Sequence, residues 1–134
     1  MAKKILIVED DSFLQGLASR KLQSEGYTVF GAKDSVEAFT ILEQTTPDLI
    51  LLDLLLPNVD GFEILKLINE REALKAVPKI IFSNLSEEKD IKRAQDLGVK
   101  EFMIKANFTL DELSTKITET IGKWAKRNPE LAEG

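Results

Sequence analysis

Five short apolar runs alternate strictly with five stretches of helical periodicity, and few folds accept that order. The runs are "KKILIVE" (3–9), "YTVFGA" (27–32), "PDLILLD" (47–53), "KIIFS" (79–83) and "KEFMIK" (100–105). Between and after them come "SFLQGLASRKLQSEG", "DSVEAFTILEQ", a segment from Gly61 to Glu70 that could extend to Ala76, "SEEKDIKRAQDLG", and "TLDELSTKITETIGKWAKR". Strand-length apolar runs alternating with helices predict a parallel sheet with helices on both faces. Its crossovers are right-handed. Parallel strands buried on both faces read as unbroken apolar runs. That accounts for "LILLDLLLPNVDG" (49–61) except for one residue, Asp53. A carboxylate taken out of water without a partner costs several kcal/mol, so Asp53 needs a partner or an accessible edge.

The helices carry their own punctuation. Phe13, Leu14, Leu17, Ala18 and Leu22 recur at helical spacing, and Gly26 and Gly98 stand at stops. Asp34 with Glu37, and Thr109 with Glu112, have the spacing of capping boxes. Val36, Phe39, Ile41 and Leu42 are expected to point inward from the second helix, and Ser86 to cap the fourth. One domain over residues 1–127 with a short tail, 128–134, is expected from 134 residues without repeats or low-complexity segments.

Composition narrows the chemistry. There is no cysteine and no histidine, which removes disulfides, thiolate or imidazole metal sites, a Ser-His nucleophile and a phosphohistidine in this chain. The net charge of -5 argues against nucleic acid as partner, because phosphate backbones reward clustered Lys and Arg. The N-terminus lacks a secretory apolar core, and no apolar stretch approaches the roughly 20 residues of a membrane helix. A soluble cytoplasmic protein is expected. Carboxylates, lysines, hydroxyls and backbone remain to do any chemistry.

In doubly wound sheets, ligands bind outside the carboxyl ends of the strands. The first run ends in Glu9, Asp10 and Asp11, the third in Asp53, the fourth in Ser83 and Asn84, and the fifth in Lys105. Clustered carboxylates repel one another unless a cation sits among them. A hard, oxygen-liganded ion such as Mg²⁺ is the natural occupant. A metal, an ammonium, a hydroxyl and a carboxylate nucleophile together suit a phosphoryl group, and carboxylates do accept phosphoryl groups as acyl phosphates.

"ILIVEDD", "LILLDLLLPNVDG", "IIFSN" and "FMIK", in that order and each at the end of its strand, resemble the receiver domain of two-component response regulators over residues 3 to about 125. The resemblance implies a flavodoxin-like (βα)5 fold with strand order 2-1-3-4-5. It implies a phospho-accepting switch that catalyses only its own phosphorylation and slow dephosphorylation. Asp53 would be the phospho-acceptor. Glu9, Asp10, Asp53 and the backbone carbonyl of Leu55 would hold Mg²⁺. Ser83 and Lys105 would contact the phosphoryl group, with Ser83 and Phe102 as the switch pair. The implied partners are a sensor histidine kinase or histidine phosphotransfer protein and a downstream protein at the face of the fourth helix, fifth strand and last helix, the chain being a monomer or weak homodimer. With no output domain after the fifth helix, signalling by protein contact is expected.

Simpler roles stand beside these. Asp11 reads as the cap of the first helix or a neighbour of that cap, with a third ligand as the other reading, Asp60 as a turn or cap residue, and Pro57 and Gly61 as shapers of the loop after Asp53. Phe102 could be plain core. The chain departs from the family pattern at Ala106, where proline is usual, and at Asn84, where a small residue is common. Leu55 and Leu85 stand where the family's side chains flank the attacking water, and predict slow loss of the phosphoryl group. A degenerate receiver acting as a phosphorylation-independent interaction module is the alternative. A phosphate-binding flavoprotein-like reading fails because acids occupy the turn after the first strand, where phosphate needs amides. A phosphatase with an aspartyl nucleophile would want a second acid where Leu54, Leu55 and Leu56 stand.

Overall fold

The computed structural model describes residues 2–57 and 59–127, so the expected tail, 128–134, lies outside the described residues. Five parallel strands form the sheet: β1 (Lys4–Val8), β2 (Thr28–Ala32), β3 (Leu49–Leu52), β4 (Lys79–Ser83) and β5 (Glu101–Ile104). Five helices follow them in turn: α1 (Ser12–Ser24), α2 (Ser35–Gln44), α3 (Gly61–Asn69), α4 (Glu88–Asp96) and α5 (Leu110–Arg127). The strand order is 2-1-3-4-5, the flavodoxin-like arrangement expected. The order reverses between β1 and β3, which opens a crevice at their carboxyl ends.

Period-2 alternation along the strands divides the core into two layers. Ile5, Ile7, Leu49, Leu51, Ile80, Phe82 and Met103 face Ala18 and Leu22 of α1 and Leu113, Ile117 and Ile121 of α5. Leu6, Val8, Ile50, Leu52 and Ile81 face the other side, against Ala38 and Leu42 of α2, Ile64, Leu65 and Ile68 of α3, and Ala94 of α4. No helix among the described residues is long and apolar enough to cross a membrane.

Capping follows the sequence at most helices. Asp11 accepts hydrogen bonds from Phe13 N and Leu14 N, Asp34 from Glu37 N, and Asp60 from Phe62 N. Thr109 and Glu112 complete a reciprocal box.

The expectations fail in four places. Ser86 is not the cap of α4: the helix begins at Glu88, after Glu87, without a side-chain cap. The third helix stops at Asn69, and a separate turn of helix, Glu72–Lys75, replaces the extension to Ala76. Val36 and Phe13 do not point inward but are 74% and 73% exposed. Each helix buries a stripe at i, i+4 spacing, Ala38 and Leu42 in α2 and Ala18 and Leu22 in α1, and these two residues fall off those stripes. A two-residue hairpin, Leu55–Leu56 against Val59–Asp60, also forms in the loop after β3. Gly61 closes that loop, because a Cβ there would lie 2.4 Å from Leu54 Cα.

Lys79, the first residue of β4, is only 2% exposed. Its ammonium donates to the carbonyl oxygens of Leu74 at 2.8 Å and Lys75 at 2.9 Å, at the end of the short helix. Burial pushes its pKa down to about 8, with the charge of Lys100 adding to the effect. The unfolded chain therefore holds this proton more tightly than the folded one between pH 8 and the ordinary lysine value of 10.5. Stability should accordingly rise with pH across that window, by about 2–3 kcal/mol. Urea titrations at pH 8 and 10, followed by Trp124 fluorescence, should show the rise in the wild type and not in Lys79→Met. An equal rise in both would assign it to other groups.

Candidate functional site

Five side chains meet at the carboxyl end of the sheet because four strand ends bring them there. Val8 ends β1, so Glu9 and Asp10 fall in the turn to α1. Leu52 ends β3, and Asp53 follows it, with its N–H donating to Val8 O at 3.0 Å. Ser83 is the last residue of β4, and Lys105 follows β5 and opens a 3₁₀ turn, Lys105–Asn107.

The carboxylate of Asp53 is 5% exposed, and both its oxygens are engaged. Oδ1 accepts from Ser83 Oγ at 2.6 Å and from Leu55 N at 2.9 Å. Oδ2 accepts from Lys105 Nζ at 2.6 Å. That resolves the difficulty of a carboxylate among leucines: it lies at the edge of the sheet with three donors on it. Charge-assisted hydrogen bonds of this kind are the strong ones. The Lys105 ammonium also reaches Glu9 Oε1 at 2.5 Å, and Glu9 Oε2 accepts from Asp11 N at 3.1 Å. Asp10 is exposed, yet its carboxylate lies with those of Glu9 and Asp53 in a group whose ligand oxygens are within 4.8 Å of one another.

The electrostatics follow from this packing. Burial raises the pKa of Glu9 above its ordinary value, with the charge of Asp53 adding to the effect, although Lys105 and the Asp11 amide pull it back. For Lys105, burial disfavours the ammonium, but its hydrogen bonds and charge contacts with Asp53 and Glu9 outweigh that and raise its pKa. Three carboxylates and one ammonium leave a formal charge of -2. An all-oxygen donor set with that deficit fits a hard divalent cation.

All the expected side chains except Phe102 belong to this cluster. Phe102 lies on β5, half-buried and packed against the core layer of α2, α3 and α4. The side chain of Leu55 is 51% exposed, whereas Leu85 packs against the core. The departures at positions 84 and 106 form a contact of their own: Ala106 N donates to Asn84 Oδ1 at 3.2 Å. A proline at 106 would lack that N–H. The strand ends of β4 and β5 are thus tied together, and Lys105 reaches Asp53 with alanine next to it. One contributor went unmarked in the sequence. Gln15 donates from Nε2 to the carbonyl oxygens of Glu9 at 2.9 Å and Ala32 at 3.1 Å. A lone amide in an amphipathic helix carries no motif that could have flagged it.

Comparison with known proteins agrees with this geometry. The model of the response regulator receiver domain matches residues 5–118. The DNA-binding dual master transcriptional regulator RpaA of Synechocystis sp. is 31% identical over 137 residues, covering 98% of this chain and 56% of that protein. The chain spans about half the length of several such curated relatives. Among solved structures, a CheY-like response regulator receiver domain protein from Methanospirillum hungatei superposes with a TM-score of 0.88 at 25% identity, over 95% of this chain and 99% of that one. The phosphorylated cyanobacterial phytochrome response regulator RcpA does so with a TM-score of 0.77 at 32% identity, over 92% and 94%.

Lys105 is the one cation touching both Glu9 and Asp53 among the described residues. Removing one partner of a buried ion pair costs about 3–5 kcal/mol. In metal-free buffer, Lys105→Met should lose a few kcal/mol of that order in urea unfolding, and millimolar MgCl₂ should recover most of it. Equal losses with and without Mg²⁺ would mean that the lysine stabilises the fold by something other than its charge.

Proposed function

The chain belongs to the response regulator receiver domain family, and on that premise we propose that Asp53 takes a phosphoryl group from a phosphohistidine on a sensor kinase or phosphotransfer protein. The observation that carries the reading is the Asp53 carboxylate itself, held by Ser83, Leu55 N and Lys105 beside two further acids. An Asp53 oxygen attacks phosphorus. The P–O bond forms as the P–N bond to the donor's imidazole breaks, and the departing nitrogen takes up a proton. Catalysis of such transfer is positioning and charge neutralisation.

Each residue then has a defined task. Glu9, Asp10, Asp53 and the Leu55 backbone carbonyl would hold Mg²⁺. The ion supplies neutralisation of the phosphoryl oxygens and relieves repulsion among the acids. Ser83 Oγ, now on Asp53 Oδ1, would donate to a phosphoryl oxygen, and Lys105 would exchange its bond to Asp53 for one to the phosphoryl group. The added charge of about -2 would draw the end of β4 inward and shift the Phe102 side chain beside it. The altered surface of α4, β5 and α5 would be read by a downstream protein, a population shift biased by one local charge. Residues 1–127 are taken as the switching unit.

Three exposed apolar side chains lie within a few residues in sequence of Glu9, Asp53 and Lys105. Phe13 opens α1, Leu55 follows Asp53 by two residues, and Phe108 follows the 3₁₀ turn after Lys105. Apolar groups at the mouth of a charged site suit a donor that is itself a protein. Leu55 also leaves no polar group two residues after Asp53 to orient an attacking water, so the acyl phosphate should persist.

Intact mass after incubation with acetyl phosphate tests the core of this reading. One phosphoryl group should be gained with Mg²⁺, and none without it or in Asp53→Asn. The lifetime of the product should be minutes or longer, and decay within seconds would remove the shielding role of Leu55. No gain in folded, Mg²⁺-binding protein would leave an interaction module that does not use phosphate. Phe13→Ser should slow transfer from a phosphohistidine protein about tenfold, the scale of a modest interface anchor. It should leave the acetyl phosphate reaction unchanged.

A further inference from the structure

We infer that Gln15 is a positioning residue for the acidic pocket: its carboxamide, seated against Gly31, fixes the Glu9–Asp10 peptide and thereby aims the Asp10 carboxylate at a divalent cation. The inference rests on the metal-assisted reading above.

The turn carrying Glu9 and Asp10 has little else to hold it. Pairing of β1 with β2 ends at Val8 and Ala32, and Glu9 N donates to Ala32 O at 2.9 Å as the last rung. The next acceptor, the Glu9 carbonyl, has no strand to meet. Gln15 Nε2 supplies the missing donor, and it also bonds Ala32 O. One carboxamide thus ties the first turn-and-a-half of α1 to the ends of two strands.

Asp10 depends on this arrangement more than its neighbours do. Glu9 is buried and fixed by Lys105 and the Asp11 amide, and Asp53 by three donors. The Asp10 side chain is exposed and makes no hydrogen bond or ion pair among the described residues. Only its backbone sets where its carboxylate points. Rotating the Glu9–Asp10 peptide would swing that carboxylate out of the group, and the Gln15 bond to Glu9 O resists the rotation.

Gly31 is the second, independent sign of the same device. It does not sit in the left-handed backbone region, which Gly26 and Gly98 occupy among the described glycines. A Cβ there would fall 2.4 Å from Gln15 Oε1 and 2.9 Å from Gln15 Cδ, and no other neighbour comes closer. The missing side chain at 31 is the space that the carboxamide occupies. Because the clash is with the far end of a flexible side chain, a methyl group at 31 would displace the amide while leaving the backbone in place.

Calorimetric Mn²⁺ binding to the full chain tests this, with the Mg²⁺ dependence of acetyl phosphate labelling as a parallel readout. Gln15→Met keeps the length of the side chain and loses the donors. Groups that orient metal ligands change affinity by about tenfold or more when removed. Gln15→Met and Gly31→Ala should each raise the Mn²⁺ Kd about tenfold. Their urea midpoints should stay near wild type. The double variant should be no weaker than Gln15→Met alone, because both changes remove the same carboxamide. Wild-type Kd values in both single variants would overturn the inference, as would additive losses that track lowered midpoints. If the wild type binds Mn²⁺ but accepts no phosphoryl group, the phospho-acceptor reading fails and the Kd comparison still decides the role of Gln15. If the wild type binds no Mn²⁺, both fall.

Discussion

The contact of one ammonium with two buried carboxylates organises the upper end of this protein. Lys105 lies within hydrogen-bonding distance of Glu9 and Asp53, residues that come from the ends of two different strands. At 4–5% exposure, burial without such a partner would be costly for either carboxylate. With Asp10 beside them, the three carboxylates remain two positive charges short of neutrality. The folded protein therefore tolerates an incomplete site, which under the proposed function a divalent ion and then a phosphoryl group would complete.

That arrangement depends on rigid strand ends. The β-sheet is apolar on both faces, and its two core layers hold β1, β3 and β4 at 0–5% exposure through most of their length. Close-packed interiors shift in steps rather than by gradual strain. The pocket above them is held by single hydrogen bonds, from Gln15 of α1 to Glu9 O, from Leu55 N to Asp53 and from Ala106 N to Asn84. The rim of the pocket is thus held by single hydrogen bonds and its base by a close-packed core.

The opposite end of the sheet shows the same economy with the sign reversed. There a lysine, Lys79, is buried against two carbonyl oxygens of the short helix after α3. It read as an ordinary strand-opening residue, because a sequence does not reveal which strand starts lie under a helix end. Phe13 and Val36 misled for a related reason. Apolar side chains near helical spacing suggest an inward face, but the stripe that packs is chosen by the docking angle of the helix, and both residues fell outside it.

The sequence by itself determined the architecture and the chemical inventory of the pocket. The alternation of apolar runs with helical segments admits little besides a doubly wound parallel sheet. In such a sheet Glu9, Asp10, Asp53, Ser83 and Lys105 must share one rim, because residues at strand ends are placed by topology alone. What only the tertiary structure decided is how these groups are held. Ala106 and Asn84 looked like separate departures until the fold set them 3.2 Å apart. Gln15 and Gly31 carried no signal until the first helix crossed the end of the second strand. Local pattern reports which face a residue shares, whereas a bond between residues far apart in sequence depends on how elements dock. That docking is a property of the packed core and cannot be read from any one segment.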